Sequence, residues 1–166
     1  MDEAEVRAYY ERNRSLYVLP EEVRLRQIYF SLPDKATAAQ TAAVKAQAEA
    51  VYERVRKGED FLRLVREQAN RESASGDGDL GFMQHQDMLA EIEQAARPLK
   101  TGETAAPFLC AGGFRIIRVE EIRTPVKPYE KVKDEIMNTL YQQKTENTYR
   151  SWLQTLRGDS HIENRL

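Results

Sequence analysis

The chain has 166 residues, 41% of them hydrophobic and 31% charged, which is enough apolar material for the core of one domain with helical extensions and too much for a disordered chain. Its 25 Lys and Arg nearly balance its 27 Asp and Glu, and a net charge of −2 supplies no field to draw the chain to nucleic acid or to an anionic membrane. One cysteine, Cys110, and two distant histidines exclude an internal disulfide and give no zinc-ligand spacing, and no run approaches the roughly 20 apolar residues of a membrane span.

The opening MDEAEVRAYY lacks the basic and apolar regions of a signal peptide, and an amphipathic helix joined directly to Met1 reads as a cut from something longer. In that helix, Asp2 to Arg14, the residues Val6, Tyr9 and Tyr10 recur at helical spacing, Asp2 is placed to cap and Pro20 closes the segment. Val23 to Phe30 alternates and ends in a run of β-formers, which predicts a strand. From Lys35 to Lys57 an Ala-rich stretch aligns Val44, Ala48, Val51, Tyr52 and Val55 on one helical face and stops at Gly58. A second helix starts near Glu59, marked by Phe61, Leu64, Val65 and Ala69, and a polar loop covers Asn70 to Gly78. Leu80 to Met83 reads as a short strand and Met88 to Ala96 as a helix ended by Pro98.

Ala106 to Cys110 and Phe114 to Val119 are predicted strands joined by a tight turn at Gly112-Gly113. After Pro125 and Pro128 a long amphipathic helix carries Val132, Ile136 and Leu140 on a stripe that continues through Tyr149, Trp152, Leu153 and Leu156 to Gly158. The order is helix, strand, two helices, strand, helix, hairpin, helix, which is an α+β arrangement with flanking helices.

Gly76 to Gly81 spells G-x-G-x-x-G, but a polar loop rather than a strand precedes it and two aspartates would repel a pyrophosphate, so turn chemistry is the reading. The acidic residues around Asp77 also lack the spacing of a calcium loop. Cys110 has no base or cation beside it to make a reactive thiolate, and His85 has no partner nearby in sequence.

Gly78-Asp79-Leu80-Gly81-Phe82, Met88, Leu99-Lys100-Thr101-Gly102-Glu103, Pro107 and Gly113-Phe114-Arg115-Ile116-Ile117 follow one another in an order that resembles the parvulin family of peptidyl-prolyl isomerases. The opening strand Val23 to Ile28 and Gly58-Glu59-Asp60-Phe61 extend the likeness, which implies a parvulin-like small antiparallel sheet surrounded by helices over residues 22–123. Residues 1–20, as a linker helix left from a chaperone module, and residues 126–166, as a C-terminal helix and tail, resemble the segments that bracket this domain in SurA-like and PrsA-like bacterial folding factors. The resemblance implies clients that are unfolded or proline-containing polypeptides, an upstream chaperone half, a periplasmic or otherwise extracytoplasmic setting, and no cofactor, metal or nucleic acid.

Rotation about an X-Pro bond crosses a barrier of roughly 20 kcal/mol set by amide resonance. It calls for an apolar seat for the ring and polar groups that favour the twisted amide. Carried over from the family, the seat falls on Leu80, Met88 and Ile92, with Ile92 where a phenylalanine is usual, and on Cys110 where a hydroxyl residue is usual. The catalytic positions fall on Gln27 and Arg115, where the family has two histidines, and on Glu72, where it has Cys or Asp. Gln27 and Arg115 retain hydrogen-bonding capacity, and Glu72 is placed to pair with Arg115; the alternative is an Arg115 that points to solvent and a Glu72 that caps a helix. The loss of both histidines implies weak or absent isomerase activity, leaving as the other reading an inactive module that binds peptides or a partner.

Overall fold

Glu22–Ser31 (β1), Asp79–Gln84 (β2), Phe108–Cys110 (β3) and Gly113–Arg123 (β4) form one antiparallel sheet in the order β2-β1-β4-β3. The computed structural model describes residues 2–71 and 76–159, without the side chains of 69–71 and 159. The chain divides into two units, Pro20–Pro125 and Met1–Leu19 with Val126–Leu166.

In the first unit the two-residue period of a strand gives the sheet two distinct faces. On one face Ile28, Phe30, Phe114 and Ile116 pack against Ala48 and Val51 of the helix Ala38–Arg56 (α1) and against Phe61, Leu64 and Val65 of Phe61–Arg71 (α2). On the other, Val23, Leu25, Ile117, Val119 and Cys110 pack against Ile92 and Ala96 of Ala90–Ala96 (α3). The fold is the α+β class expected, with helices on both faces of a small antiparallel sheet.

Local chemistry sets the ends of these elements. α1 starts three residues later than Lys35 because Thr37 and Gln40 form a reciprocal cap, with Gln40 N donating to Thr37 Oγ1 at 3.2 Å and Thr37 N to Gln40 Oε1 at 2.9 Å. α2 runs through Arg71, into the stretch expected to be loop. α3 is shorter than the expected Met88–Ala96, because His85–Asp87 closes a 3₁₀ turn and Met88 and Leu89 are extended. The hairpin turn is Ala111-Gly112, one residue earlier than expected, since Gly113 already pairs with Cys110 on one side and Ser31 on the other.

The second unit is a helix pair, Glu3–Arg12 (α4) and Tyr129–Asp159 (α5), numbered after the domain helices. Asp2 caps the first, accepting from Ala4 N at 3.3 Å. Val6, Tyr10 and Tyr17 pack on Tyr129, Val132, Ile136 and Leu140, and the Tyr10 hydroxyl donates to the Lys127 carbonyl at 2.7 Å. At about 1.5 Å per residue, a ten-residue helix reaches along only the first part of a 31-residue one. Past Leu140, the continuing stripe of Tyr141, Tyr149, Trp152 and Leu156 is exposed.

Candidate functional site

Alternation along β1 places Gln27 and Tyr29 on the α3 face, in line with Val23 and Leu25, and alternation along β4 places Arg115 there with Ile117 and Val119. Arg115 is paired in register with Tyr29 of β1 and Phe108 of β3. Its Nη1 donates to Gln27 Oε1 at 2.6 Å, its guanidinium lies 4.8 Å from the centre of the Tyr29 ring, and Nη2 sits 3.5 Å from the Ala111 carbonyl. Tyr29 is itself fixed, its hydroxyl donating to the Gly112 carbonyl at 2.7 Å. Two residues 88 apart in sequence thus form one hydrogen-bonded pair, and Arg115 does not simply point to solvent.

The apolar side of the site lies on the same face. Leu80, Met88, Ile92 and Cys110 belong to one cluster, together with Met83, Leu99 and Phe108. Within it Ile92 and Cys110 are buried, while Leu80 and Met88 keep partial exposure and form the accessible part of the cluster. Next to it a cleft of about 450 Å³ runs along the Leu109–Gly113 turn, with Leu32, Pro33, Asp34 and Glu91 on its other walls.

Leu80 owes its position to a bulge. The β1–β2 register steps from Leu25↔Gly81 to Arg26↔Asp79, leaving Leu80 as the extra residue, and the β1–β4 register steps past Glu120 opposite the same point. The residues around the bulge are tied down from the opposite face. Asp79 takes both Arg24, through a bidentate pair, and the Gly81 N–H, at 2.9 Å, and Arg26 bridges Asp77 at 3.0 Å and Glu120 at 3.2 Å. Hydrogen bonding from Arg24, and then from the Gly81 amide, holds the Asp79 carboxyl down at about 2. The Gly76–Gly81 run is accordingly turn chemistry: Asp77 Oδ1 accepts from Asp79 N at 3.2 Å as Asp79 does from Gly81.

Of the residues singled out from sequence, Gln27, Arg115, Leu80, Met88, Ile92 and Cys110 share this face, and Glu72 lies outside the described residues. Tyr29 was missed, although it follows Gln27 by two positions in an alternating strand, which is a sufficient signal for a shared face. Arg24, Arg26 and Asp79 as supports of Leu80 carried no such signal. His85, given no partner in sequence, has Nε2 3.4 Å from Glu21 Oε1 and Nδ1 3.7 Å from Glu93 Oε1.

A small antiparallel sheet with helices on both faces, and an apolar cluster beside a hydrogen-bonded polar pair on one of them, is a parvulin-like α+β arrangement. A family model of the PPIC-type PPIase domain matches residues 1–134, and the chain belongs to that family. It is 31% identical over 122 residues to Chaperone SurA of Ralstonia nicotianae, a match covering 74% of this chain and 25% of that protein. It is 34% identical over 141 residues to Foldase protein PrsA of Caldanaerobacter subterraneus subsp. tengcongensis, covering 84% of this chain and 40% of that one. A solved PpiC-type peptidyl-prolyl cis-trans isomerase domain superimposes with a TM-score of 0.55 at 27% identity, over 65% of this chain and 96% of that domain. The chain carries a PPIC-type parvulin domain like those of SurA- and PrsA-like folding factors, and it spans about a quarter of the length of the SurA relatives. No helix among the described residues is long and apolar enough to cross a membrane.

Proposed function

We propose that the Pro20–Pro125 unit binds proline-containing stretches of unfolded polypeptide and accelerates their cis–trans interconversion weakly, as one domain of an extracytoplasmic folding factor. The observation that carries this is the hydrogen-bonded Gln27–Arg115 pair standing on the same sheet face as Leu80, Met88, Ile92 and Cys110. The proline ring seats on Leu80 and Met88 above Ile92 and Cys110. The preceding carbonyl meets the two polar side chains, whose donors favour the amide with its conjugation broken. Each about 1.4 kcal/mol of that preference is worth tenfold in rate. A neutral amide and an arginine already bonded to each other have fewer free donors and cannot exchange roles as a titrating pair can, which is why turnover is weak.

The second reading, a binding module without turnover, is favoured by a different observation, the exposed Tyr141, Tyr149, Trp152 and Leu156 stripe on α5. In that reading the upstream chaperone half, to which the likeness of the flanking segments points, covers the stripe, and the groove serves to hold clients.

NMR exchange spectroscopy on an unphosphorylated Ala-Pro peptide, with amide-shift mapping on labelled protein, separates the two. Acceleration that Met88→Ala abolishes supports the isomerase. Shifts around Leu80 and Met88 without acceleration support the binding module, and no shifts in the α3 face at all would remove the site.

A further inference from the structure

The sheet carries five arginines, and four are matched with carboxylates. Arg24 pairs with Asp79, Arg26 with Asp77 and Glu120, Arg118 with Glu120 at 4.0 Å, and Arg123 with Glu22 at 2.8 Å. Arg115 is the exception. Among the described residues no carboxylate oxygen comes within 4.0 Å of it; its neighbours are a side-chain amide, a backbone carbonyl and an aromatic ring. All of these are neutral, and Nε is enclosed without an acceptor. The guanidinium is half-buried and held in a fixed orientation by Gln27 Oε1 and the anchored Tyr29 ring. A cation that is oriented, partly desolvated and met by no carboxylate among the described residues is a ready receptor for an anionic group, because the cost of fixing and dehydrating it has been met in the fold.

We infer that Arg115 makes the site selective for an acidic residue immediately before the proline, so that Glu-Pro and Asp-Pro segments are its preferred clients. This rests on the proline-site reading above. With the ring on Leu80 and Met88, the carbonyl that faces Gln27 and Arg115 belongs to the preceding residue, whose side chain branches from the Cα next to that carbonyl carbon. A carboxylate there reaches the guanidinium; a glutamine of the same shape offers no charge, and a lysine repels it. The placement is also specific in direction. The cleft along the Leu109–Gly113 turn is lined by Asp34 and Glu91, so an acidic residue that lands in the cleft instead meets like charge.

The test uses capped peptides Ala-Ala-Xaa-Pro-Ala-Ala with Xaa Glu, Gln, Ala or Lys, titrated into the labelled chain, with dissociation constants read from the amides of Leu80 and Met88. The expected result is that Glu-Pro binds about threefold to tenfold tighter than Gln-Pro, the range of a partly solvated, oriented ion pair, and that the ratio shrinks toward one in 0.5 M salt. Arg115→Gln should equalise Glu-Pro and Gln-Pro while still binding Ala-Pro. Arg66→Gln, which removes an exposed cation on α2, should leave the ratio unchanged. Equal affinities for Glu-Pro and Gln-Pro in the unmodified chain, or a preference that survives Arg115→Gln or high salt, would overturn the inference while leaving the proline site standing. If no proline peptide shifts Leu80 or Met88, the site itself falls and the inference with it. Should Arg115→Gln lose its folded spectrum, Arg115→Met and the salt series on the unmodified chain decide the matter: a preference that disappears in Arg115→Met or shrinks toward one in salt supports the inference, and a preference that survives both overturns it.

Discussion

Gly78 and Gly81 form a matched pair in which backbone conformation and steric room can be separated. Both lie in the left-handed region, at φ of +70° and +72°, so alanine at either position meets the same conformational penalty of about 1 to 2 kcal/mol. At Gly81 nothing lies within 4 Å of an added Cβ, and the penalty ends there. At Gly78 the Cβ would stand 2.2 Å from the Gln27 carbonyl oxygen and 3.0 Å from Val65 Cγ1. The carbonyl belongs to the backbone of the central strand and has to retreat by about 1 Å to reach ordinary contact, and the bond from Gln27 N to the Gly78 carbonyl, 2.8 Å long, lies on the same stretch. Weakening that half-buried bond and displacing β1 adds about 2 to 3 kcal/mol.

Gly78→Ala is therefore expected to cost about 3 to 5 kcal/mol and Gly81→Ala about 1 to 2. In urea melts, with slopes of roughly 1 to 2 kcal/mol per molar for a domain of this size, the midpoint should fall by about 2 M or more in the first case and about 1 M in the second. The Gln27 and Arg115 signals should move in Gly78→Ala and stay near their places in Gly81→Ala. Equal costs at the two positions would mean that the Gln27 carbonyl has room to move, and the close approach would then not be what places Gln27 in the site.

Two further outcomes follow from the charge network and the helix pair. The Asp79 carboxyl is held at about 2 instead of 3.8, so its contribution to stability is complete above about pH 4 and lost as pH falls toward 2. Allowing for its partial exposure, Asp79→Asn should cost about 1 to 2 kcal/mol at neutral pH and remove a similar share of the stability that the unmodified chain loses between pH 4 and 2, measured by urea melts across that range. Ile136 is fully buried between the paired helices and Trp152 is 56% exposed on the bare stripe. Ile136→Ala should therefore cost about 2 to 4 kcal/mol and Trp152→Ala less than about 1, read by the loss of helical ellipticity on heating. A large cost at Trp152 would mean that the distal half of α5 is covered in solution.

Most of the element order was legible in the sequence because it depends on near neighbours. The alternation from Val23 to Phe30, the helical stripe through Val44, Ala48 and Val51, and the glycine pair in the hairpin are local signals, and so is the continuation of the α5 stripe beyond Leu140. The misjudged ends were local as well, but they turned on single hydrogen bonds: the Thr37–Gln40 cap, and the His85–Asp87 turn that leaves Met88 extended. Leu80, Met88, Ile92 and Cys110 were singled out through an ordered likeness to a family, and the folded chain gathers them in one cluster.

What the sequence determined by itself was which residues are buried and which strand faces they share, since burial follows from side-chain chemistry repeated at a fixed period. Only the tertiary structure decided the partners. Arg115 and Gln27 are 88 residues apart, and the sequence contains 25 cations and 27 anions among which any pairing is consistent with the composition. Alternation puts Arg24, Arg26 and Arg118 on one face and Arg115 on the other, and the register, stepped by the bulges at Leu80 and Glu120, brings Asp79 and Glu120 to the first three, whereas no carboxylate among the described residues meets Arg115.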